Sequence, residues 1–241
     1  MLPLFNFCRM RKFFSVLILV FSVISLYAQQ DTALSKKFLN EDLVLDVNYY
    51  KWLNYPDNIS LENNCTEINI TAYFFLTGKE KNITVAMGGN IDAANIYGNF
   101  FLTKDSTGTP TLATIPDSLN YSKNKLTVAY VGVPIEIRFK TNNNIRKKNF
   151  KFTVGANIGY NLTAYRKYKG DDFLGNSTEK IKVKLYDQPG ISKVIGSVYV
   201  KMFYDKFGLN FRYNFTPFFD GVTDDIVKIN SFSVGLSVIV F

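Results

Sequence analysis

Over six stretches of this chain, and more weakly over two others, apolar residues fall at every second position, and no other feature restricts the fold as much. In 149–165 the even positions are Phe150, Phe152, Val154, Ala156, Ile158, Tyr160, Leu162 and Ala164, while the odd ones are polar or glycine. A strand sends alternate side chains to opposite faces, so such a stretch has one oily face and one wet face. Helical spacing would instead scatter Lys151, Phe152 and Gly155 over mixed faces. The same period in 126–140 sets Ala129, Val131, Val133, Ile135, Ile137 and Phe139 against Tyr130, Gly132, Glu136, Arg138 and Lys140. It recurs in 66–77, 192–204, 207–216 and the final stretch, and more weakly in 43–53 and 82–102. Several of these segments reach the roughly 9–11 residues that a tilted strand needs to cross a bilayer, whereas soluble strands average nearer 5–6.

The connections between these segments alternate long and short: Tyr55–Cys65, Gly78–Lys81, Lys104–Lys123, Thr141–Lys148, Arg166–Gly190, Asp205–Gly208 and Phe219–Asp225. Membrane barrels have short periplasmic turns and longer outer loops, so the alternation predicts both termini in the periplasm. Asp205 opening and Gly208 closing suit a type I turn. Pro134 lacks a ladder donor and predicts a bulge or bend on the lumen face.

Ahead of the strands, Arg9, Arg11 and Lys12 precede an apolar run from Phe13 to Leu26 that closes on Tyr27-Ala28-Gln29-Gln30. That order is a secretory signal, too short to span as a helix. We expect residues 1–28 to be a cleaved signal peptide, with Met10 an alternative start. Residues 29–42 then form a short periplasmic segment, and 43–241 the barrel. The predicted fold class is all-β, a single antiparallel up-and-down transmembrane β-barrel of about eight strands. Phe241 has lumen parity, although such barrels commonly end on an outward Phe, which predicts fraying or a bulge at the end of the last strand.

Composition narrows the chemistry. Aromatics make up 16% and charged residues only 20%, which excludes a disordered chain. The net charge is +8, of which the signal carries three, and in an exported protein the excess suits anionic lipid head groups better than nucleic acid. Histidine is absent, which removes the usual catalytic base and the commonest metal ligand. Past the signal, Cys65 is the single cysteine, so no intramolecular disulfide forms. We expect no enzyme, no cofactor and no metal site, and read Asp171-Asp172 and Asp224-Asp225 as solvated loop charges without calcium-loop spacing.

The segment Tyr130-Val131-Gly132-Val133-Pro134-Ile135-Glu136-Ile137 resembles the tyrosine-to-proline strand of the PorT-like outer-membrane β-barrel families of Bacteroidota. Gly155-Ala156-Asn157-Ile158-Gly159-Tyr160 resembles the glycine-rich strand that follows it, and Tyr168-Lys169-Gly170-Asp171-Asp172 its outer loop. The resemblance covers about the last half of the chain and implies an outer-membrane barrel; family members include a component of a secretion and gliding machinery.

Parity also nominates sites. Asp46, Glu67, Glu136, Arg138, Lys151, Lys201 and Arg212 share the wet face. A lumen of about eight strands is filled by side chains, so these charges are expected to pair into a plug rather than line a pore. The favourable register puts Glu136 opposite Lys151. Trp52, Tyr55, Tyr165, Phe218 and Phe219 are read as interfacial girdle residues. In the longest loop, Lys167, Lys169, Asp171 and Asp172 are the candidate contacts. Expected partners are outer-membrane lipid and lipopolysaccharide, the barrel-assembly machinery during insertion, and an unidentified protein. A soluble lipocalin-like carrier is the alternative; it would need the oily face inside.

Overall fold

The computed structural model describes residues 42–77, 82–141, 149–172, 180–220 and 229–240. The proposed signal, Asp224-Asp225 and Phe241 lie outside them. The described residues form eleven strands: β1 (Asp42–Leu53), β2 (Thr66–Phe75), β3 (Ile83–Tyr97), β4 (Phe100–Lys104), β5 (Pro110–Thr114), β6 (Tyr121–Lys140), β7 (Phe150–Gly170), β8 (Ile181–Tyr186), β9 (Val194–Tyr204), β10 (Phe207–Asn214) and β11 (Asn230–Ile239). The described residues contain no helix.

Eight of these strands close a barrel in the order β6-β3-β2-β1-β11-β10-β9-β7, sealed by pairing of β6 with β7. Every barrel pairing is antiparallel and joins strands that follow one another around the chain, so the topology is up-and-down. Closure leaves no unpaired edge among the eight, which is what allows a sheet to sit in lipid. Two additions lie off the ring. The β4-β5 hairpin forms a separate sheet, and β8 pairs only with the far end of β7.

The alternation settles which face is in. Val47, Ile91, Val133, Ile158 and Leu236 stand exposed, Ile158 at 66%, while Asp46, Glu67, Asn69, Arg212 and Ser237 are buried. The oily set therefore faces outward and the wet set fills the interior, opposite to what a soluble carrier requires.

Local departures from the sequence expectation have local causes. Opposite Val133 and Pro134 the ladder with β3 lapses across Gly88 and Gly89, then resumes in unchanged register. Of the expected bulge or bend, no bulge occurs there, and the missing donor is absorbed by a gap in the ladder. Besides the shift at Ser122 near the start of β6, a true irregularity lies in β7, where Asn161 pairs with Tyr130 and Thr163 with Ala129, so Leu162 is extra. It flips the phase, and Ala164, expected outward, is buried. The β9-β10 hairpin turns on Asp205 and Lys206 alone, with Asp205 at φ +60°; that sign excludes the type I turn and matches the strand twist as two-residue hairpins do. The expected strand 82–102 stops at Tyr97, where a Cβ on Gly98 would lie 2.6 Å from the Ser60 carbonyl oxygen. Likewise 166–170 is strand rather than loop, paired with β8.

Candidate functional site

The interior divides along the barrel axis. Nearest the end where β1 begins and β11 finishes, Val44, Tyr73, Ala86, Phe203 and Ile239 form a small apolar floor. A belt of buried charge begins at the same level and continues above it. Arg138 reaches Asp42 at 2.5 Å and also pairs with Glu136, two residues away on the same strand. Its guanidinium stacks on Tyr73 at 4.7 Å and Phe75 at 4.8 Å. Tyr199 donates its hydroxyl to Glu136 at 2.9 Å. Tyr199 crosses the lumen over Gly155, its cross-strand neighbour, where any Cβ would meet its ring at 2.4 Å.

Farther along, Lys201 pairs with Asp46 at 2.8 Å, and Ser237 donates to the other Asp46 oxygen at 2.6 Å. Arg212 lies between Glu67, at 3.5 Å, and Asp92. Asn48 donates to Glu67 at 2.9 Å and accepts from Asn210 at 2.9 Å, which links the two groups. Removing ions from water costs several kcal/mol each, and only pairing of this density offsets it. A cavity of about 10 Å³ remains beside Glu67, Asp92, Tyr130 and Asn157. It has room for about one water and for nothing larger.

Above the belt the interior turns apolar again. Trp52 sits at its centre, with Phe100 at 4.8 Å, Phe218 at 5.2 Å and Phe219 at 5.3 Å between ring centroids. Ile59, Ile96, Leu126, Val128, Ile195 and Ile229 belong to the same cluster. All four long connections contribute: Ile59 from the first, Phe100 and Leu112 from the second, Ile191 from the third, Phe218 and Phe219 from the fourth. Backbone hydrogen bonds tie them together, Asn99 to Ser60 at 3.1 Å and Ser192 to Phe218 at 3.1 Å. The result is a lid over the mouth.

Residues 45–220 match the family described as outer membrane protein beta-barrel domain. The chain belongs to that family. It is a small outer-membrane β-barrel, a ring of eight strands with an outward apolar wall. No curated protein matches the chain. Among solved structures it is similar to Ail, the attachment invasion locus protein of Yersinia pestis, solved in complex with the heparin analogue sucrose octasulfate. Identity is 12% over 82% of this chain and 96% of that one, with a TM-score of 0.34.

Within this outer-membrane barrel, six of the seven nominated lumen charges, Asp46, Glu67, Glu136, Arg138, Lys201 and Arg212, lie buried in the belt. Lys151 is only half-buried and lies opposite Lys140, while Glu136 faces Gly155. The Glu136–Lys151 register is thus corrected by four residues, and the partner of Glu136 is Arg138 instead. A cross-strand charge pair contributes roughly 0.2–1 kcal/mol, less than the packing of Tyr199 into the space above Gly155 and the ladder around it. Asp42 and Asp92 belong to the belt but were not nominated. Parity alone would have found Asp92, two residues from Asn90 on the wet face.

The girdle assignment is corrected for Trp52, Phe218 and Phe219, which are interior lid residues, and Tyr55 packs against the same cluster. Tyr165 does stand on the outer wall, its ring 5.9 Å from that of Tyr186. Arg166, expected in a solvated loop, is buried with its guanidinium over Phe101 at 5.3 Å. The four loop contacts separate as well. Lys167 and Lys169 point outward from β7, facing Lys184 and Lys182 across the ladder. Asp171 bends back and accepts from the Asn120 amide at 2.8 Å, and Asp172 beside it is half-buried.

Proposed function

We propose that this protein acts through its surfaces rather than its lumen, as a membrane-anchored structural or interaction protein with no catalytic role and no cofactor. The observation that carries this reading is the filled interior, a belt of paired charges closed above by the lid around Trp52. Neither a diffusing solute nor a substrate has room there. The carrier alternative is not favoured, because the apolar set that would line its cavity faces outward.

The three short connections lie at the end where β1 begins and the four long ones at the other. That asymmetry supports both termini in the periplasm and the lid at the cell surface. Partners on this reading are outer-membrane lipid and lipopolysaccharide, the assembly machinery during insertion, and an unidentified protein meeting the long connections. The finer placement among PorT-like proteins of Bacteroidota rests on Tyr130–Ile137 and Gly155–Tyr160. Their inward residues Tyr130, Gly132, Pro134, Glu136, Gly155, Asn157 and Gly159 lie on the paired strands β6 and β7, so one local packing unit accounts for both motifs.

Planar-bilayer recording tests the plug: the wild-type protein should show no steady conductance, and a persistent open level would overturn it. Topology is tested separately. Ser106→Cys, exposed in the β4-β5 turn, in a Cys65→Ser background should react with an impermeant maleimide on intact cells. Reaction only after the outer membrane is broken would put the lid in the periplasm.

A further inference from the structure

The outer wall of the strand extensions carries an arrangement of charge that the fold itself does not need. On β6, β7 and β8, Lys125, Lys167 and Lys184 are successive cross-strand partners, and so are Lys123, Lys169 and Lys182. Paired residues of a ladder project from the same face, so the six ammonium groups form two rows of three. That face is outward, because the alternating set on β7, Ala164, Arg166 and Tyr168, is buried. None of the six is in an ion pair among the described residues. Lys184 instead stands over the rings of Tyr165 at 4.2 Å and Tyr186 at 4.4 Å, while Lys125 donates to Asn95 Oδ1 at 2.7 Å and lies over Tyr97 at 5.7 Å. Like charges directly opposite on a ladder destabilise it. Six of them together therefore call for a ligand of opposite sign.

Height along the wall selects that ligand. The outward residues of β6 are apolar from Phe139 to Ala129, which at about 3.4 Å per residue and a tilt of about 40° amounts to roughly 25 Å, the full apolar band of such a barrel. Lys125 lies four residues beyond Ala129, about 10 Å higher, and Lys123 about 15 Å higher by the same geometry. Tyr165 and Tyr186, partners of each other and one ladder step below the first lysine row, mark the boundary. The first row is thus level with lipid head groups, and the second just above.

We propose that this lysine grid on β6, β7 and β8 is a binding site for the phosphorylated head group of an outer-leaflet glycolipid of the lipid A type. Two phosphates spanning the rows neutralise neighbours that otherwise repel, while the acyl chains lie against Val131, Val133, Ile158 and Tyr160 on the wall below. The site anchors the barrel at a fixed depth and holds the β7-β8 extension upright.

The outer-leaflet assignment rests on the topology proposed above, but the binding test does not. The folded protein in nonionic detergent is titrated with diphosphoryl lipid A, and the temperature at which the folded, fast-migrating gel band is lost is followed. Wild type should gain thermal resistance; K125Q/K167Q/K184Q should bind roughly 100-fold more weakly, since each lysine beside an anionic surface contributes about fivefold. Without lipid, the variant should be at least as heat-resistant as wild type, because repulsion has been relieved. Fully dephosphorylated lipid A should protect neither. Equal binding by the variant, or equal protection by the dephosphorylated lipid, overturns the site. Stronger protection by a heparin oligosaccharide than by lipid A assigns the face to a soluble polyanion and overturns the lipid. Binding without maleimide labelling on intact cells discards the topology and the outer-leaflet assignment together; labelling without binding discards the site alone.

Discussion

The charged belt and the lid occupy one lumen, on the same strands and at the same parity, yet are built from opposite chemistry. Along β3 the inward residues run Asn90, Asp92, Ala94, Ile96, and along β1 Asp46, Asn48, Tyr50, Trp52. The outward residues change in the reverse sense, on β6 from Val133 and Val131 to Thr127 and Lys125. Where the wall meets lipid, apolar side chains gain by pointing out and the interior is left to ion pairs. Beyond the lipid the wall meets water, and burial of apolar surface favours the inside again. One barrel is therefore inside-out over its lower part and built like a soluble protein over its upper part, with the crossover near Ala129 and Ala94.

That contrast can be broken from either side. The largest effect is expected from Arg212→Met, which leaves Glu67 and Asp92 facing each other without a cation; breaking such a buried group costs about 3–5 kcal/mol, read from urea unfolding by gel mobility. Adding Glu67→Met and Asp92→Leu should recover most of it, since well-packed apolar residues replace a complete buried ion group at little or no cost. Failure to recover would mean the belt is needed for more than neutrality. Next comes the wall. Ile158→Arg should cost roughly 2–4 kcal/mol at mid-bilayer, whereas Thr163→Arg, exposed and level with Ala129 at the crossover, should cost no more than about 1 kcal/mol. Equal costs would erase the proposed boundary. Glu136→Gln is smaller, about 1–2 kcal/mol, because the amide oxygen still accepts from Tyr199 while the pairing with Arg138 loses its charge. Its signature is a lower temperature for loss of the folded band.

The smallest effect is expected at the tip of the β4-β5 hairpin. There Thr107, first through its hydroxyl, and the Thr109 amide donate to Asp105 and hold its carboxyl below the usual carboxylate range. A carboxylate with a depressed folded pKa contributes stability that is present above its unfolded pKa and is lost as pH falls through the folded one. Proteolysis at this turn should rise only in that acid window, and Asp105→Asn should abolish the pH dependence. An unchanged profile in the variant would remove Asp105 from the turn's stability.

The barrel was legible in the sequence because period two carries both strand and face. In 149–165 and 126–140 every lipid-facing residue up to the Leu162 bulge could be named. What parity cannot state is the surroundings of a face. Trp52, Phe218 and Phe219 were misread since aromatic residues near strand ends serve equally as girdle or as lid, and only the convergence of four distant loops decides between them. Strand β8 left a signal in Ile181, Val183 and Leu185 alternating with lysines, but its oily set is short and its wet set entirely basic. Glu136 was placed correctly in the interior and paired with the wrong cation. Register follows from summed packing along twenty residues of β6, and one charge pair is too small a fraction of that sum.

The inversion of polarity also gives insertion a direction. On the topology proposed above, the lid's tryptophan and phenylalanines can converge only once the long connections have crossed, since its elements come from four separate loops. Withdrawal would drag six lysines and an opened aromatic cluster back through hydrocarbon. The upper half of the barrel thus behaves as a pawl: passable while its parts are unfolded, and closed behind itself once they meet.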